Sequence, residues 1–134
     1  MTSFFGLKHQ TIRLIKRESV EQTIQRLVWR FMRDHHFTSP KGINDYFCYY
    51  FACDVQKVFP NARFVDTIVK PLNGCRVRGH TFVRIGNRYY DSEVPYGVNF
   101  VYQIPCLQRM GIRSKTQTVE YSDYYAPVGS WRRA

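Results

Sequence analysis

Acidic side chains are scarce in this chain. Ten Asp and Glu stand against twenty Lys and Arg, a formal charge of +10 over 134 residues. Such an excess draws a protein towards anions: nucleic acid, an acidic protein surface or an acidic peptide. No dense basic tract gathers that charge, so a solvated basic surface accounts for it as well as a polyanion site does. Long apolar runs are also missing. Without about 20 consecutive apolar residues no helix crosses a bilayer, so no membrane association is expected. The opening residues M-T-S-F-F-G-L-K-H-Q lack the charged start and apolar core of a secretory leader. The expected location is therefore cytoplasmic, with thiols reduced. C-x-x-C spacing is absent among Cys48, Cys53, Cys75 and Cys106, which argues against structural zinc; neither a metal nor an organic cofactor is expected. Repeats, low-complexity stretches and Gly/Ser linkers are lacking too, and the length suits one domain over residues 1–134.

Apolar residues make up 44% of the chain and aromatics 16%, enough for a folded core. Ser19 followed by Gln22 has the spacing of a capping box. Val20, Ile24, Leu27, Val28, Phe31 and Met32 then recur at helical spacing, which predicts an amphipathic helix ending near Asp34-His35-His36. Arg26, Arg30 and Arg33 fall largely on its other side, near Trp29. Residues 38–42 read as a loop because Pro40 and Gly42 break the period. A second helix is expected over residues 44–58, capped by Asn44 or Asp45 and stopped before Pro60. The remainder, about 62–121, reads as sheet: strands at 63–69, 76–85 and 88–94, with weaker ones at 100–104 and 117–121. Turns are expected at 71–74 and at Gly86-Asn87, and a flexible Tyr-rich tail over 122–134. Helices first and strands second is an α+β order.

Three side chains stand in settings that suit thiol chemistry. Cys48, in D-Y-F-C-Y-Y-F-A-C, is expected within or just past the first turn of the second helix. There the free N–H groups and the helix dipole favour a thiolate, the form that acts as nucleophile. Cys53 lies deeper and is turned away from the face shared by Cys48, Phe51, Ala52, Val55 and Phe59. His80 belongs to the strand G-H-T-F-V-R-I. A two-residue turn at Gly86-Asn87 pairs Ile85 with Arg88 and Arg84 with Tyr89, which sets His80, Phe82, Asp91 and Glu93 on one face. Both carboxylates are then candidates to orient the imidazole, Glu93 directly opposite it and Asp91 diagonally. The Cys48 backbone N–H, with Asn44 upstream, is the candidate oxyanion site. Taken singly, Cys48 reads rather as a small buried hydrophobe and His80 as a hairpin surface residue; it is their combination that points to chemistry.

C-Y-Y-F-A at residues 48–52 resembles the C-x-x-F-A nucleophile segment of the transglutaminase-like branch of papain-fold cysteine enzymes. G-H-T-F-V at 79–83 resembles that branch's G-H-x-W-V strand, and Y-Y-D at 89–91 the strand that carries its third residue. The resemblance covers residues 44–97. It implies a papain-like, transglutaminase-like α+β fold, N-terminal helices with the nucleophile helix packed on an antiparallel β-sheet, and Cys48, His80 and Asp91 as triad, which favours Asp91 over Glu93. Two departures stand out: Phe82 where Trp is usual, and the bulky Phe47 before the cysteine.

The expectation is a cysteine-dependent acyl-transfer enzyme, a peptidase or amidase hydrolase working through a Cys48 thioester on a protein or peptide substrate, with an acidic one suiting the charge. Two alternatives stand beside it. One is a catalytically inactive binding or inhibitor protein of the same fold. The other is a basic nucleic-acid binder using Arg26, Arg30 and Arg33, or Arg84 and Arg88 beside Tyr89.

Overall fold

The computed structural model describes residues 18–69, 77–112 and 120–124. The predicted turn at 71–74, Cys75, His9 and residues 125–134 lie outside them. Helix α1 spans Val20–His35, α2 Pro40–Tyr46 and α3 Cys48–Val58. Strands β1 (Arg63–Val69), β2 (Val77–Ile85) and β3 (Arg88–Tyr90) follow, then a 3-10 turn at Val101–Gln103, a short α4 at Pro105–Arg109, and β4 at Glu120–Tyr124. The architecture is α+β, with one sheet in the order β3-β2-β1-β4 and every pairing antiparallel.

The α1 boundaries follow from local chemistry. Ser19 and Gln22 close a full capping box, each side chain taking the other's backbone N–H. At the far end His36 turns left-handed, φ 61°, and its N–H caps the Met32 carbonyl. Residues 40–42, expected in a loop, are helical instead. Ser39 caps the N-terminus of α2 and Pro40 occupies its first turn, where a missing N–H costs nothing.

The single helix expected over 44–58 is two helices. Phe47, with φ −130° and ψ 30°, sits between them. Its N–H still reaches the Ile43 carbonyl (2.7 Å), and its own carbonyl accepts from Phe51 N (3.0 Å). Neither Gly nor Pro marks this break. What holds it is aromatic packing: the Phe47 ring meets Phe31, Phe37 and Tyr50 edge-on, with centroids 5.5 to 6.4 Å apart.

Strand alternation sorts the sheet's two faces. The pair Phe64 and Val83 joins a core with Ile24, Leu27, Val28 and Phe31 of α1 and Phe51, Ala52 and Val55 of α3. The next pair, Val65 and Phe82, packs with Ile104, Cys106 and Leu107. The hairpin turns at Gly86, φ 62°, in the expected register of Ile85 with Arg88 and Arg84 with Tyr89. Strand β3 stops at Tyr90, however, rather than running to residue 94, because the Asp91 side chain takes over the backbone that follows. Its Oδ1 accepts from Glu93 N (2.8 Å) and Val94 N (3.1 Å), folding the chain into a turn. The strand expected at 100–104 is the 3-10 turn leading into α4. Residues 122–124, assigned to the tail, pair instead with β1 in β4.

Candidate active site

The break at Phe47 makes Cys48 the first residue of α3. The N–H groups of a first turn have no intrahelical acceptor, and the helix dipole adds positive potential there. The Tyr49 and Thr81 N–H groups both interact with the Cys48 sulfur. Helix start and strand β2 therefore converge on one thiol, which is partly exposed.

His80 lies within β2 and is only 1% exposed. A bulge in the β1–β2 register, between Asp66 and Ile68, leaves it opposite no main-chain partner in regular register. The Thr67 hydroxyl fills the gap. It accepts from His80 N (2.8 Å) and donates to His80 O (3.2 Å), so one side chain satisfies both backbone groups. The imidazole stacks on Phe82 with centroids 5.4 Å apart. Its Nε2 lies 2.8 Å from Asp91 Oδ2, and Asp91 is just as buried. Because Oδ1 of the same carboxylate is held by two backbone N–H groups, the carboxylate cannot swing and the ring is fixed behind it.

Nδ1 of His80 is buried without a hydrogen-bond partner of conventional geometry. Two thiols nonetheless interact with the ring, those of Cys48 and Cys106. Sulfur is large and its contacts are long, so these are looser than the Asp91 bond. With Nε2 committed to Asp91, Nδ1 is the nitrogen left to exchange a proton with sulfur.

The electrostatics follow from these contacts. Burial pulls the His80 pKa down, but the hydrogen bond to Asp91, then the Cys106 and Cys48 contacts and the Asp91 charge, outweigh it and hold the imidazole well above its ordinary 6.5. For Cys48 burial acts upward, yet the contact with His80, its charge, and the Thr81 and Tyr49 N–H groups bring the thiol below its usual range. Each group stabilises the charged form of the other, which favours a thiolate–imidazolium pair.

Glu93 does not orient the imidazole. It accepts from Arg109 through both oxygens, at 2.7 and 3.0 Å, and from Asn44 Nδ2 at 2.9 Å. Asn44 therefore has another duty than the one expected of it at an oxyanion; its Nδ2 tethers α2 to Glu93, while Oδ1 is buried without a partner. The arginines proposed for polyanion contact differ in their surroundings. Arg26 is paired bidentately with Glu18, Arg33 meets its neighbour Asp34, Arg30 is exposed, Arg84 is half-buried, and Arg88 caps the Tyr96 and Gly97 carbonyls. Thr67, Cys106 and Arg109 were not singled out as site residues from sequence. Cysteine count alone drew attention to Cys106, and no spacing rule links it to His80.

Among the described residues no three His, Cys, Asp or Glu side chains are arranged to hold a metal ion. The described helices include none long and apolar enough to cross a membrane. Two cavities, of about 690 and 450 Å³, lie on helical faces, one lined by Trp29, Arg26 and Tyr96, the other by Phe31, Phe47 and Cys53. Neither is lined by Cys48 or His80. No protein-family model, curated protein or solved structure matches this chain.

Proposed function

We propose that this protein is a cysteine-dependent acyl-transfer enzyme of papain-like, transglutaminase-like architecture, with Cys48 as nucleophile, His80 as acid and base, and Asp91 as the residue that positions the ring. One observation carries the reading. A thiol at the first residue of a helix meets an imidazole whose far nitrogen is held 2.8 Å from a buried carboxylate. The order thiol, imidazole, carboxylate supports roles as nucleophile, base and orienter.

In the first half-reaction the Cys48 sulfur attacks an amide or ester carbonyl and forms the C–S bond. The bond to the leaving group breaks, and that group departs with a proton from the His80 imidazolium. In the second half-reaction neutral His80 takes a proton from water, whose oxygen attacks the thioester and releases Cys48. The first-turn N–H groups of α3, that of Cys48 included, stabilise the oxyanion. Asn44 can assist only by exchanging its Glu93 contact for the substrate. An acidic protein or peptide suits the +10 charge.

Acetyl transfer from p-nitrophenyl acetate tests the reading. We expect a burst of nitrophenol matched by an acetyl group on Cys48, absent in Cys48→Ala. Turnover that persists in Cys48→Ala, or label on Cys53 alone, overturns it. A second reading, a binding protein on the same architecture, draws support from the two cavities that avoid Cys48; it predicts no burst and a Cys48 thiol no faster to alkylate than an ordinary one.

A further inference from the structure

The larger cavity, about 690 Å³, has no part in that mechanism. One wall is a stripe along α1, where Gln22, Arg26 and Trp29 follow one another at about one turn. The other wall is Pro95 and Tyr96, beyond the Asp91 turn. Both walls are held in place. Tyr90 donates its hydroxyl to Glu21 Oε2 (2.8 Å), tying α1 to the end of β3. Arg88 Nη2 donates to Tyr96 O (3.1 Å) and Gly97 O (2.8 Å). Gly97, with φ 80°, lies so close to the Tyr90 ring that a Cβ would come within 2.7 Å of it. The groove is therefore formed before any ligand arrives. Its two large rings are bare, Trp29 at 64% exposure and Tyr96 at 59%. Exposed aromatics gathered on one hollow mark a binding surface, where single scattered ones do not.

The charges select the ligand. Bases outnumber acids twofold over the whole chain, yet the described charged residues lining this hollow are Glu18, Glu21 and Arg26. Arg88, behind the wall, is turned to the two carbonyls. Two carboxylates repel phosphate, which disfavours nucleic acid here. A guanidinium already sits in the hollow: Arg26 binds Glu18 through Nε and Nη2 at 2.8 to 3.1 Å. Both side chains are about half exposed, and an exposed pair contributes little. A partner's arginine can take the place of Arg26 at small cost. We propose that this groove binds an extended, proline-rich peptide that carries an arginine. Proline rings lie on Trp29 and Tyr96, and the peptide arginine takes Glu18. The Gln22 amide and the Trp29 indole N–H donate to carbonyls that a polyproline helix leaves unpaired. Such a helix is stiff before it binds, so ordering it costs little. The cavity also has the size of a ligand site, which runs to about 300–1,000 Å³.

The groove is lined by neither Cys48 nor His80, so the two proposals fail separately. Full-length protein is titrated into a fluorescein-labelled Arg-Pro-Pro-Leu-Pro-Pro peptide and binding is read by anisotropy. Saturable binding is expected, weaker by about 10-fold or more in Trp29→Ala. Exchanging the peptide arginine for glutamine should weaken it roughly threefold, and exchanging its prolines for alanine should abolish it. Trp29→Ala should keep the acetyl burst. Both rings are surface groups, so thermal melts of Trp29→Ala and Tyr96→Ala should stay near wild type; if one variant fails to fold, the other decides. A peptide that does not bind overturns the proposal, as does one that binds both variants as tightly as wild type. It is also overturned if the variants lose binding to single-stranded RNA, or self-association, and peptide binding is unmoved.

Discussion

Cys48 and Cys53 stand five residues apart on one helix, yet they are opposite in chemistry. Cys48 opens α3, takes two backbone N–H contacts and meets an imidazole held protonated by Asp91, and its pKa falls. Cys53 lies mid-helix, 3% exposed in an apolar core; burial, with Asp54 adding to it, pushes its pKa up to about 11 despite contacts with Tyr49 and Lys57. Residue type is the same in both places. Position along the helix and the charge of the neighbours decide which sulfur can react.

Removing Cys48 tests that contrast most severely. Cys48→Ala should lower acetyl transfer by about 10³-fold or more, as loss of a covalent nucleophile does elsewhere. Cys53→Ala should keep the burst and lose only packing stability. Comparable activity loss in both variants would erase the distinction.

Alkylation comes next. At pH 7 a thiol titrating near 11 is thiolate only about one part in 10⁴, so iodoacetamide should label Cys48 at least about 10²-fold faster than Cys53 by peptide-resolved mass spectrometry. The Cys48 rate should hold below the ordinary thiol range and fall only as pH drops through its lowered value. Matched, slow rates at the two sites would support the binding-protein reading.

His80→Ala sharpens the cause. Without the imidazole, Cys48 labelling at pH 6 should fall by roughly 10-fold or more, with the profile moving up towards a normal thiol, because each pKa unit is about tenfold in thiolate. Asp91→Asn should shift it in the same direction and by less, since the ring stays in place but loses its charged partner. The sign for stability follows from the raised imidazole. Its contribution is fully present below 6.5, the ordinary histidine value, and fades as pH rises through the folded-state value. A pH profile unmoved by His80→Ala would separate thiol from imidazole.

Thr67→Val asks whether the bulge matters. The isosteric change strips both backbone groups of His80 of their partner, so urea unfolding should report a loss of about 1–3 kcal/mol. The smallest effect belongs to Glu93→Gln. Its Arg109 pair is partly exposed, so the cost should be about 1 kcal/mol or less, with the Cys48 alkylation profile unchanged. A profile that moved as far as in Asp91→Asn would restore Glu93 as an orienter.

The local half of this geometry could be read from residue order. Ser19 and Gln22 announced α1, and Gly86-Asn87 fixed the hairpin register that sets His80 near Asp91. Sequence left Asp91 and Glu93 open at that point, because alternation places both on one side. What separates them is a turn built by Asp91 itself, which ends β3 early and leaves Glu93 to Arg109 and Asn44. The helix break was hidden for a different reason. Phe47 carries no breaker signal; rings from α1, the α1–α2 connection and α3 hold it, two of them from distant turns of chain.

Sequence by itself determined the α+β order, the Ser19 cap of α1 and the tight hairpin, and it offered a thiol, an imidazole and two acids as candidates. Those features depend on neighbours within a few residues, where φ/ψ preference and side-chain period operate. Only tertiary structure decided that Cys48 begins a helix, that Thr67 supports His80 across a bulge, and that Cys106 shares the imidazole. Those contacts join Thr67 to His80 and His80 to Cys106, 13 and 26 residues apart, and no local pattern encodes which long-range packing will bring them within reach.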